Sequence, residues 1–560
     1  MTDSKENIEK FQIGICMAGA ISAGAYTAGV MDFLIEALDE WENRKNNAVS
    51  NTPLHSVEIP VMGGASAGGM TSIIAASAIN NKIEPITKIK SNNIFEQRPE
   101  NKFYHSWVDL VDDNMFPLLL DDSDISSNKK IYSLLNSDFI EKVADRALQV
   151  NEKEWISRPY FTNKLKVFST LTNLEGFKFN IPFKGNAGSN QDYEVESHTD
   201  FACFSLNTNT SEYNQDGWIP LDFRNKINIS VAKQAAMATG AFPVGLRARK
   251  LERNSKYVNQ IVWDKALFKI KPVEPNKDEN YVSMNVDGGV INNEPFEKVR
   301  DVLDSITQET VENNKSYDTF RSTVVMIDPF PSEQGDKFDD NDGVFNIIGN
   351  TLSAMLGQLR NKPTNLVNAL DSNFAGQFLI SPSRVVKKGL NEKKIQGSKA
   401  IACGSLGGFG GFINKEFRIH DYFLGRANCE IFLRDYFTVP ADTINPIFVD
   451  GYKNIDTTKF QSKVDGGVQI IPIFTERSSE MYMPNFSSQT NWPEIIENDV
   501  DDFRKAIKTR VGTILMNITQ YSKLEKFLIR IGAFLVLNGK IADGVLDTIK
   551  KSLKEHKLLK

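Results

Sequence analysis

A serine stands between small residues in the segment 64–68, which reads Gly-Ala-Ser-Ala-Gly and matches the pattern G-x-S-x-G. The apolar run at 57–62 predicts a strand before this segment, and the apolar segment at 70–79 predicts a helix after it. Such a turn holds its serine in a strained conformation, so that the hydroxyl projects freely and the next backbone N–H helps to bind an oxyanion. The pattern indicates that Ser66 is an acyl-transfer nucleophile, although a glycine-rich turn can also cradle a phosphate.

A serine hydroxyl needs a proton acceptor, because its neutral form is a poor nucleophile. Asp287 is the candidate, since it ends the strand predicted at 281–286 and is followed by Gly288 and Gly289. A carboxylate at a strand end, with backbone packed closely around it, suits a catalytic base. The alternative interpretation is an Asp-Gly turn without a chemical role.

A third segment, 18–24 (Ala-Gly-Ala-Ile-Ser-Ala-Gly), follows the apolar run at 11–17 and precedes helical periodicity at 24–41. Such a loop can direct backbone N–H groups and a positive helix end at a developing negative charge, as an oxyanion hole requires. A packing turn or a phosphate loop would have similar residues. The patterns G-x-x-x-x-G-K-[ST] and G-x-G-x-x-G are incomplete here, so nucleotide binding is the weaker alternative.

Histidine is the base in a Ser-His-Asp triad, and the chain contains five histidines. In the order Ser, Asp, His that is typical of α/β-hydrolases, only His420 and His556 follow Asp287. His420 lies beside Asp421 and close to two arginines, which favours a structural polar cluster or an anion contact over a base. The sequence therefore offers no well-placed histidine for a triad.

Two strand-to-helix units in series imply an α/β fold with a parallel sheet that positions these residues. Further strands are predicted at 164–174, 201–206, 281–286 and 323–327. We interpret 85–160 as a helical insertion and 185–197 as a polar loop. The acidic, glycine-containing segment 333–343 is the best domain boundary, which predicts a catalytic domain at 1–332 and a mainly helical C-terminal region at 344–560, with a helix at 344–360.

The composition is that of a globular protein, with 41% hydrophobic and 24% charged residues, and the net charge of −6 argues against nucleic acid as a partner. The chain shows no secretory signal pattern and no run of about 18 apolar residues, which predicts a cytoplasmic protein. The four cysteines are far apart and predict neither a zinc site nor a disulfide framework. The tail at 540–560 repeats apolar residues at helical spacing, which favours core packing with a solvated lysine face over a membrane-surface helix.

The order of these pieces resembles the patatin-like phospholipase family over roughly residues 10–330. The segments 235–243 (Ala-Ala-Met-Ala-Thr-Gly-Ala-Phe-Pro) and 292–295 (Asn-Asn-Glu-Pro) are similar to two further motifs of that family. The resemblance implies a three-layer sandwich with a mainly parallel central sheet and a Ser–Asp dyad without histidine. It implies these roles: nucleophile Ser66, base Asp287, nucleophile-elbow glycines Gly64 and Gly68, and oxyanion-hole residues Gly19, Ala20 and Ala67.

The usual glycine-rich loop of the family is Gly-Gly-Gly-x-Arg-Gly, whereas segment 19–24 keeps only the first and last glycines and has Ala23 at the arginine position. A similar arginine-free loop occurs in larger bacterial patatin-related proteins, which also carry a segment similar to 417–426, and we place the chain in that subgroup. The resemblance implies phospholipase A-like cleavage of ester-linked fatty acids through an acyl-enzyme. It implies a phospholipid or other lipid ester as substrate, peripheral contact with the inner membrane surface, and neither cofactor nor metal. The altered loop keeps a catalytically idle binding module as the alternative.

Overall fold

The computed structural model describes residues 9–88, 101–126, 130–184, 190–207, 217–260, 279–308, 313–331, 375–388, 391–474, 482–518 and 533–560. Its strands are β1 Phe11–Met17, β2 Val57–Gly64, β3 Phe161–Lys184, β4 Asn190–Leu206, β5 Ile219–Leu221, β6 Arg249–Asn254, β7 Asn280–Asp287, β8 Ser322–Ile327, β9 Gln377–Ile380, β10 Ser383–Lys388, β11 Asn391–Gln396, β12 Thr438–Val439 and β13 Val468–Gln469. Its α-helices are α1 Gly24–Asn46, α2 Ser66–Ala78, α3 Lys102–Tyr104, α4 Phe116–Leu120, α5 Ser123–Ser126, α6 Phe139–Ala147, α7 Ile229–Thr239, α8 Ser255–Val258, α9 Phe296–Thr307, α10 Lys415–Asp435, α11 Pro446–Gly451, α12 Glu497–Asp501, α13 Phe503–Ile518 and α14 Ala533–Glu555.

A central sheet contains the strands that carry the candidate site. Its main path runs β5-β4-β3-β2-β1-β8-β9, and β7 pairs with β3 while β6 pairs with β7. The contiguous strands β3, β2, β1, β8 and β9 are parallel, so their carboxyl ends lie at one edge. β7 runs antiparallel to β3, with Asp287 opposite Leu171. Helical crossovers between these strands favour parallel pairing. The predicted α/β fold with a mainly parallel sheet is confirmed.

Both faces of the sheet are covered by helices, which gives three layers. Along β1, Ile13, Ile15 and Met17 belong to the main core, while Cys16 points into a second apolar cluster. That second cluster contains side chains of α9, and the main core contains those of α1, α2 and α10. Alternate residues of a strand point to opposite faces, so an apolar strand such as β1 is buried on both sides.

The helices α1 and α10 cross at very close range, although nearly 400 residues separate them. A Cβ added to Gly29 would lie 1.9 Å from the carbonyl oxygen of Tyr422, and one added to Gly425 would lie 2.1 Å from that of Tyr26. Beside this crossing, Arg426 forms an ion pair with Asp32. Only glycine permits such an approach of two backbones, so the fit between α1 and α10 is specific.

The helical segment Ile21–Asn46 has the length and apolar content to cross a membrane, but 89% of its most apolar window is buried inside the protein. The segment is not an uninterrupted apolar run, because polar and small residues interrupt it without removing its overall hydropathy. The burial identifies it as a core helix. In α14, Ala542, Leu546, Ile549 and Leu553 are buried as well, in agreement with the favoured core-packing interpretation.

The residues beyond the predicted boundary share the sheet and the core of the residues before it. β9 pairs with β8 in register Val324 to Gln377, and α10 packs on α1. The segment 333–343 and the helix expected at 344–360 lie outside the described residues. The division at 332–344 and the helical insertion at 85–160 therefore stay predictions.

Candidate active site

The turn between β2 and α2 holds Ser66 in a left-handed backbone conformation, with a φ of 49°. A residue other than glycine rarely adopts this region, so the turn is strained. A Cβ on Gly64 would lie 2.2 Å from the carbonyl oxygen of Met17, and one on Gly68 would lie 2.1 Å from the same atom. The two glycines therefore let β1 approach the turn closely.

Ser66 and Asp287 come together although 221 residues separate them. The Ser66 Oγ donates a hydrogen bond of 2.6 Å to Oδ2 of Asp287. Only 5% of Ser66 and 3% of Asp287 are exposed, so water competes little for this bond. The Ser66 N–H donates to Oγ1 of Thr239 at 2.9 Å, which fixes the turn from the end of α7. The geometry places a carboxylate where it can accept the proton of the serine hydroxyl.

The Asp287 residue is held by its backbone and by its second carboxylate oxygen. Oδ1 accepts the N–H of Gly289 at 2.7 Å, and the N–H of Asp287 donates to the carbonyl of Ala241 at 2.9 Å. The Asp287 carbonyl accepts Oγ1 of Thr172 at 2.8 Å. A carboxylate fixed by one oxygen presents the other in a defined direction, which suits a positioned base.

Gly19 lies directly against Ser66. A Cβ on Gly19 would be 3.0 Å from Cβ of Ser66 and 2.3 Å from Oδ1 of Asn293. Its N–H donates a long hydrogen bond of 3.4 Å to the Asn293 carbonyl, so this predicted oxyanion donor is already engaged in the structure. Its close approach to Ser66 is a feature that only glycine allows.

The other two predicted oxyanion residues differ in their surroundings. The first i−4 hydrogen bond of α2 runs from the Gly69 N–H to the Ala65 carbonyl at 3.1 Å. The N–H of Ala67, two residues earlier and in the first turn of α2, therefore has no acceptor within the helix. Ala20 precedes the short 3-10 turn Ile21–Ala23, has a φ of −152° and is buried. Of the predicted donors, Ala67 is placed best for an oxyanion on Ser66, since it directly follows the nucleophile in the elbow.

An apolar cavity of about 80 Å³ reaches Ser66 and Asp287. Its lining consists of Ser66 and Asp287 with mainly aliphatic and aromatic side chains, among them Met70, Ile74, Trp107, Leu110, Val143, Met237, Phe242 and Phe412. These side chains come from α2, α6 and α7, from Phe242 in the family-like segment 235–243, and from two further segments, at 107–110 and 412, for which the sequence predicted no role. An apolar cavity of this kind suits an acyl chain, and its volume matches a short one.

One wall of the cavity is a π-helical turn, His105–Asp109. Arg418 and Lys415 bind this turn through hydrogen bonds and ion pairs. The guanidinium of Arg418 is fully buried and donates to the carbonyl of Val108 at 2.8 Å and to that of Gly411 at 2.5 Å. It also donates to the carbonyl of Asp112 at 3.1 Å. Burial lowers the pKa of Arg418 to about 10, which still leaves it charged at neutral pH. Arg418 thus ties the wall residues Trp107 and Leu110 to Phe412.

The Lys415 ammonium adds a second buried fastening to the same wall. Its Nζ lies 2.9 Å from Oδ1 of Asp109 and 2.9 Å from Oδ1 of Asp113. Burial opposes ionisation of Asp109, but hydrogen bonds from His105 and Lys415 outweigh it and lower the pKa of that carboxyl. Sequence reasoning did not predict these wall contacts of Arg418 and Lys415, because Val108, Asp109, Asp112 and Asp113 lie about 300 residues away.

The candidate oxyanion loop is supported from the C-terminal region as well. Ser22 donates a hydrogen bond to the carbonyl of Gly408 and accepts the N–H of Gly411 at 3.0 Å. The segment 402–412 is in turn anchored by Asp421, whose carboxylate accepts the N–H groups of Ala402 at 2.8 Å and Cys403 at 2.9 Å. The loop 19–24, which lacks the family's arginine, is therefore held by hydrogen bonds to residues 408–411.

His420 occupies a structural position. Its Nδ1 lies 2.7 Å from Oδ1 of Asp421, its ring packs edge-on against Trp492, and burial lowers the pKa of His420 although Asp421 opposes this. It does not line the cavity that contains Ser66. The placement agrees with the polar cluster that the sequence favoured.

We expect His420→Ala to leave the acylation rate within about tenfold of wild type, because the ring contacts neither member of the dyad. The measurement is single-turnover release of p-nitrophenol from p-nitrophenyl butyrate. Melting temperature is recorded in parallel, since loss of a buried ring destabilises the protein. A folded variant with an activity loss of about a thousandfold would instead favour a histidine base.

Comparison with known proteins shows which family the chain resembles. The sequence profile of the family described as patatin-like phospholipase matches residues 15–300, just over half of the chain. The uncharacterized protein y4iI of Sinorhizobium fredii (strain NBRC 101917 / NGR234) is 30% identical over 606 aligned residues, which cover 100% of this chain and 83% of that protein. The crystal structure of VipD from Legionella pneumophila aligns over 96% of this chain and 88% of VipD, with 12% identity and a TM-score of 0.19, too low to carry an argument. The chain belongs to the patatin-like phospholipase family.

Proposed function

We propose that this protein hydrolyses ester-linked fatty acids of lipids through a Ser66–Asp287 dyad. Asp287 accepts the proton of Ser66 as Oγ attacks the ester carbonyl, and the backbone N–H groups of Ala67, Ala20 and Gly19 stabilise the oxyanion. The carbon–oxygen bond to the alcohol breaks, and that alcohol leaves with the proton from Asp287. Water, deprotonated by the same aspartate, then attacks the acyl-enzyme and releases the fatty acid.

The observation that carries this proposal is the 2.6 Å hydrogen bond from Ser66 Oγ to Asp287 at the mouth of an apolar cavity. A strained serine with a fixed carboxylate supplies a nucleophile and its proton acceptor. The apolar lining supplies a site for the acyl group rather than for a polar substrate. Family membership supports a lipid substrate in the same way.

The volume of the cavity gives a further expectation about the acyl group. About 80 Å³ holds only a few heavy atoms, whereas sites for larger ligands span about 300–1,000 Å³. Short acyl esters therefore fit the structure as it stands, and a long chain requires the wall at 105–113 to move. The Gly19 N–H would likewise have to exchange its long bond to Asn293 for the oxyanion.

The proposal is tested by labelling with a fluorophosphonate probe that traps activated serines. We expect wild-type protein to be labelled at Ser66 and Ser66→Ala to be unlabelled. Ser72→Ala is the matched control, because Ser72 is a buried serine of the same helix whose hydroxyl donates to the carbonyl of Gly69 at 2.7 Å. That variant should label like wild type.

Mass spectrometry of the labelled peptide identifies the modified residue. Labelling that persists in Ser66→Ala would remove the nucleophile assignment. A folded wild-type protein that never reacts would leave an idle lipid-binding module as the better description.

A further inference from the structure

A second, strongly basic pocket of about 540 Å³ lies beyond the carboxyl ends of β8 and β9. Pro331 and Ser381, which follow these two strands, form part of its rim. Its cations come from the hairpin β10–β11, from the turn after it and from the C-terminus: Arg384, Lys393, Lys394, Lys399 and Lys557. One acidic residue, Glu555, faces them. The excess of positive charge is local, because the whole chain carries a net charge of −6.

The cations of this pocket are available to a ligand. Within the described ranges, none of the five forms a salt bridge, whereas Lys550 on the neighbouring helix α14 pairs with Asp501 at 2.7 Å. Lys393, Lys394 and Lys399 are exposed. Five clustered cations with a single facing carboxylate, Glu555, repel each other and destabilise the protein, and a bound anion would relieve this repulsion.

Arg384 is the fixed member of the cluster. Its guanidinium lies 3.6 Å from the ring centre of Trp492, a stacking contact that orients the planar group. Its Nε is buried and has no hydrogen-bond partner among the described residues. A buried guanidinium nitrogen without an acceptor is costly, and a ligand oxygen would satisfy it.

The position of the pocket relates it to Ser66. β2, β1, β8 and β9 are successive parallel strands, and both Ser66 and the pocket lie past their carboxyl ends. Three strand spacings of about 4.8 Å separate β2 from β9, which puts the pocket about 14 Å along the same edge from the elbow. Ligands of parallel α/β sheets bind at this edge.

We propose that this pocket binds the phosphate group of a ligand, either the headgroup of an anionic lipid beside the substrate or a soluble phosphate compound. An arginine fork and several lysine point charges form the donor set that phosphate oxygens prefer. The volume of 540 Å³ accommodates a headgroup. The headgroup version rests on the proposed lipid hydrolysis, since it would hold the protein against the surface that supplies its substrate.

The test uses full-length Ser66→Ala protein, so that binding is measured without hydrolysis. Two probes distinguish the sources: vesicles of phosphatidylcholine with or without phosphatidylglycerol, followed by co-sedimentation, and inorganic pyrophosphate, followed by calorimetry. We expect Lys393→Glu combined with Lys394→Glu to weaken binding by at least about tenfold, because each lysine near an anionic surface contributes a substantial part of the attraction.

The matched control reverses the charge of two exposed lysines elsewhere, in the double variant Lys453→Glu with Lys463→Glu. They belong to the segment that packs beside residues 51–55, before β2, where Leu54 donates its N–H to the carbonyl of Gly451 at 2.8 Å. This places the control on the side where β2 begins, away from Ser66. Both double variants, made in protein that retains Ser66, should hydrolyse p-nitrophenyl butyrate at the wild-type rate.

Each outcome has one meaning. Binding to phosphatidylglycerol vesicles alone identifies a lipid headgroup as the ligand. Binding of pyrophosphate identifies a soluble phosphate compound. Either result supports the site if the variant Lys393→Glu with Lys394→Glu loses the binding and the control double variant keeps it. Absence of binding to both probes, or equal loss in the two double variants, would overturn the proposal. A failure of Ser66 to react with the fluorophosphonate probe would refute the hydrolase separately and leave the phosphate measurement unchanged.

Discussion

Replacing Asp287 by Asn is expected to lower the rate of Ser66 acylation by roughly three orders of magnitude, on the scale seen when a serine hydrolase loses its proton acceptor. The amide is nearly isosteric with the carboxylate, and its oxygen can still accept the N–H of Gly289, now 2.7 Å from Oδ1. The group facing Ser66 would then be an amide nitrogen, which accepts no proton. The fold is retained while the chemistry is lost, so the measured deficit belongs to proton transfer.

The matched control for this substitution is Asp328→Asn. Asp328 directly follows β8, as Asp287 ends β7. It is 5% exposed, and its Oδ1 accepts the N–H two residues on, that of Phe330, at 2.8 Å. It therefore reproduces the local setting of Asp287 without contacting Ser66. The two variants are compared by single-turnover hydrolysis of p-nitrophenyl butyrate, and their melting temperatures are measured to check that both are folded. An Asp287→Asn rate within tenfold of wild type would mean that another group accepts the proton.

Gly19→Val is expected to reduce turnover on the order of 100-fold to 1000-fold, the effect of losing an oxyanion-hole donor. A Cβ at this position already meets Oδ1 of Asn293 at 2.3 Å and Cβ of Ser66 at 3.0 Å, and the branched side chain adds two methyl groups there. Either the loop or the nucleophile has to move. The diagnostic measurement is the acylation rate at saturating substrate, which separates this effect from weaker binding.

Ala20→Gly serves as the control for the loop. Ala20 has a negative φ of −152°, so glycine there removes only a methyl group and retains the backbone N–H. We expect activity close to that of wild type. If folded Gly19→Val hydrolysed the ester at the wild-type rate, the loop would be structural and the oxyanion donors would have to be sought at Ala67 and Gly68.

Local patterns in the sequence predict the elements that carry the chemistry. The strand and helix around Ser66 and the strand ending at Asp287 are each specified by a short apolar run with adjacent glycines. The need of Ser66 for a base made Asp287 a candidate partner, but no local pattern fixes the 2.6 Å contact between residues 221 apart. The hydrogen bond from the Ser66 N–H to Thr239 has the same long-range character.

The supporting contacts were not predictable for the same reason. Arg418 donates hydrogen bonds to backbone carbonyl groups. Every residue has such a group, so the sequence does not indicate which carbonyls Arg418 binds. The polar loop expected at 185–197 was wrong in part, because β4 already begins at Asn190 and pairs with β3. Polar residues dominate that stretch, so no apolar pattern predicts the strand, which is defined by its pairing with β3.

The close crossing of α1 and α10 has a consequence for how the chain matures on the ribosome. The apolar face of α1 is synthesised nearly 400 residues before Tyr422 and Gly425 emerge to cover it. At translation rates of about 5–20 residues per second, tens of seconds pass between the synthesis of α1 and that of α10, which covers this face. During this interval the nascent chain exposes a long hydrophobic helix, which is the kind of surface that chaperones recognise. The elbow can form early from local sequence, but the walls of the cavity need Phe412 and Arg418, so the proposed activity requires that the chain has been synthesised past these residues.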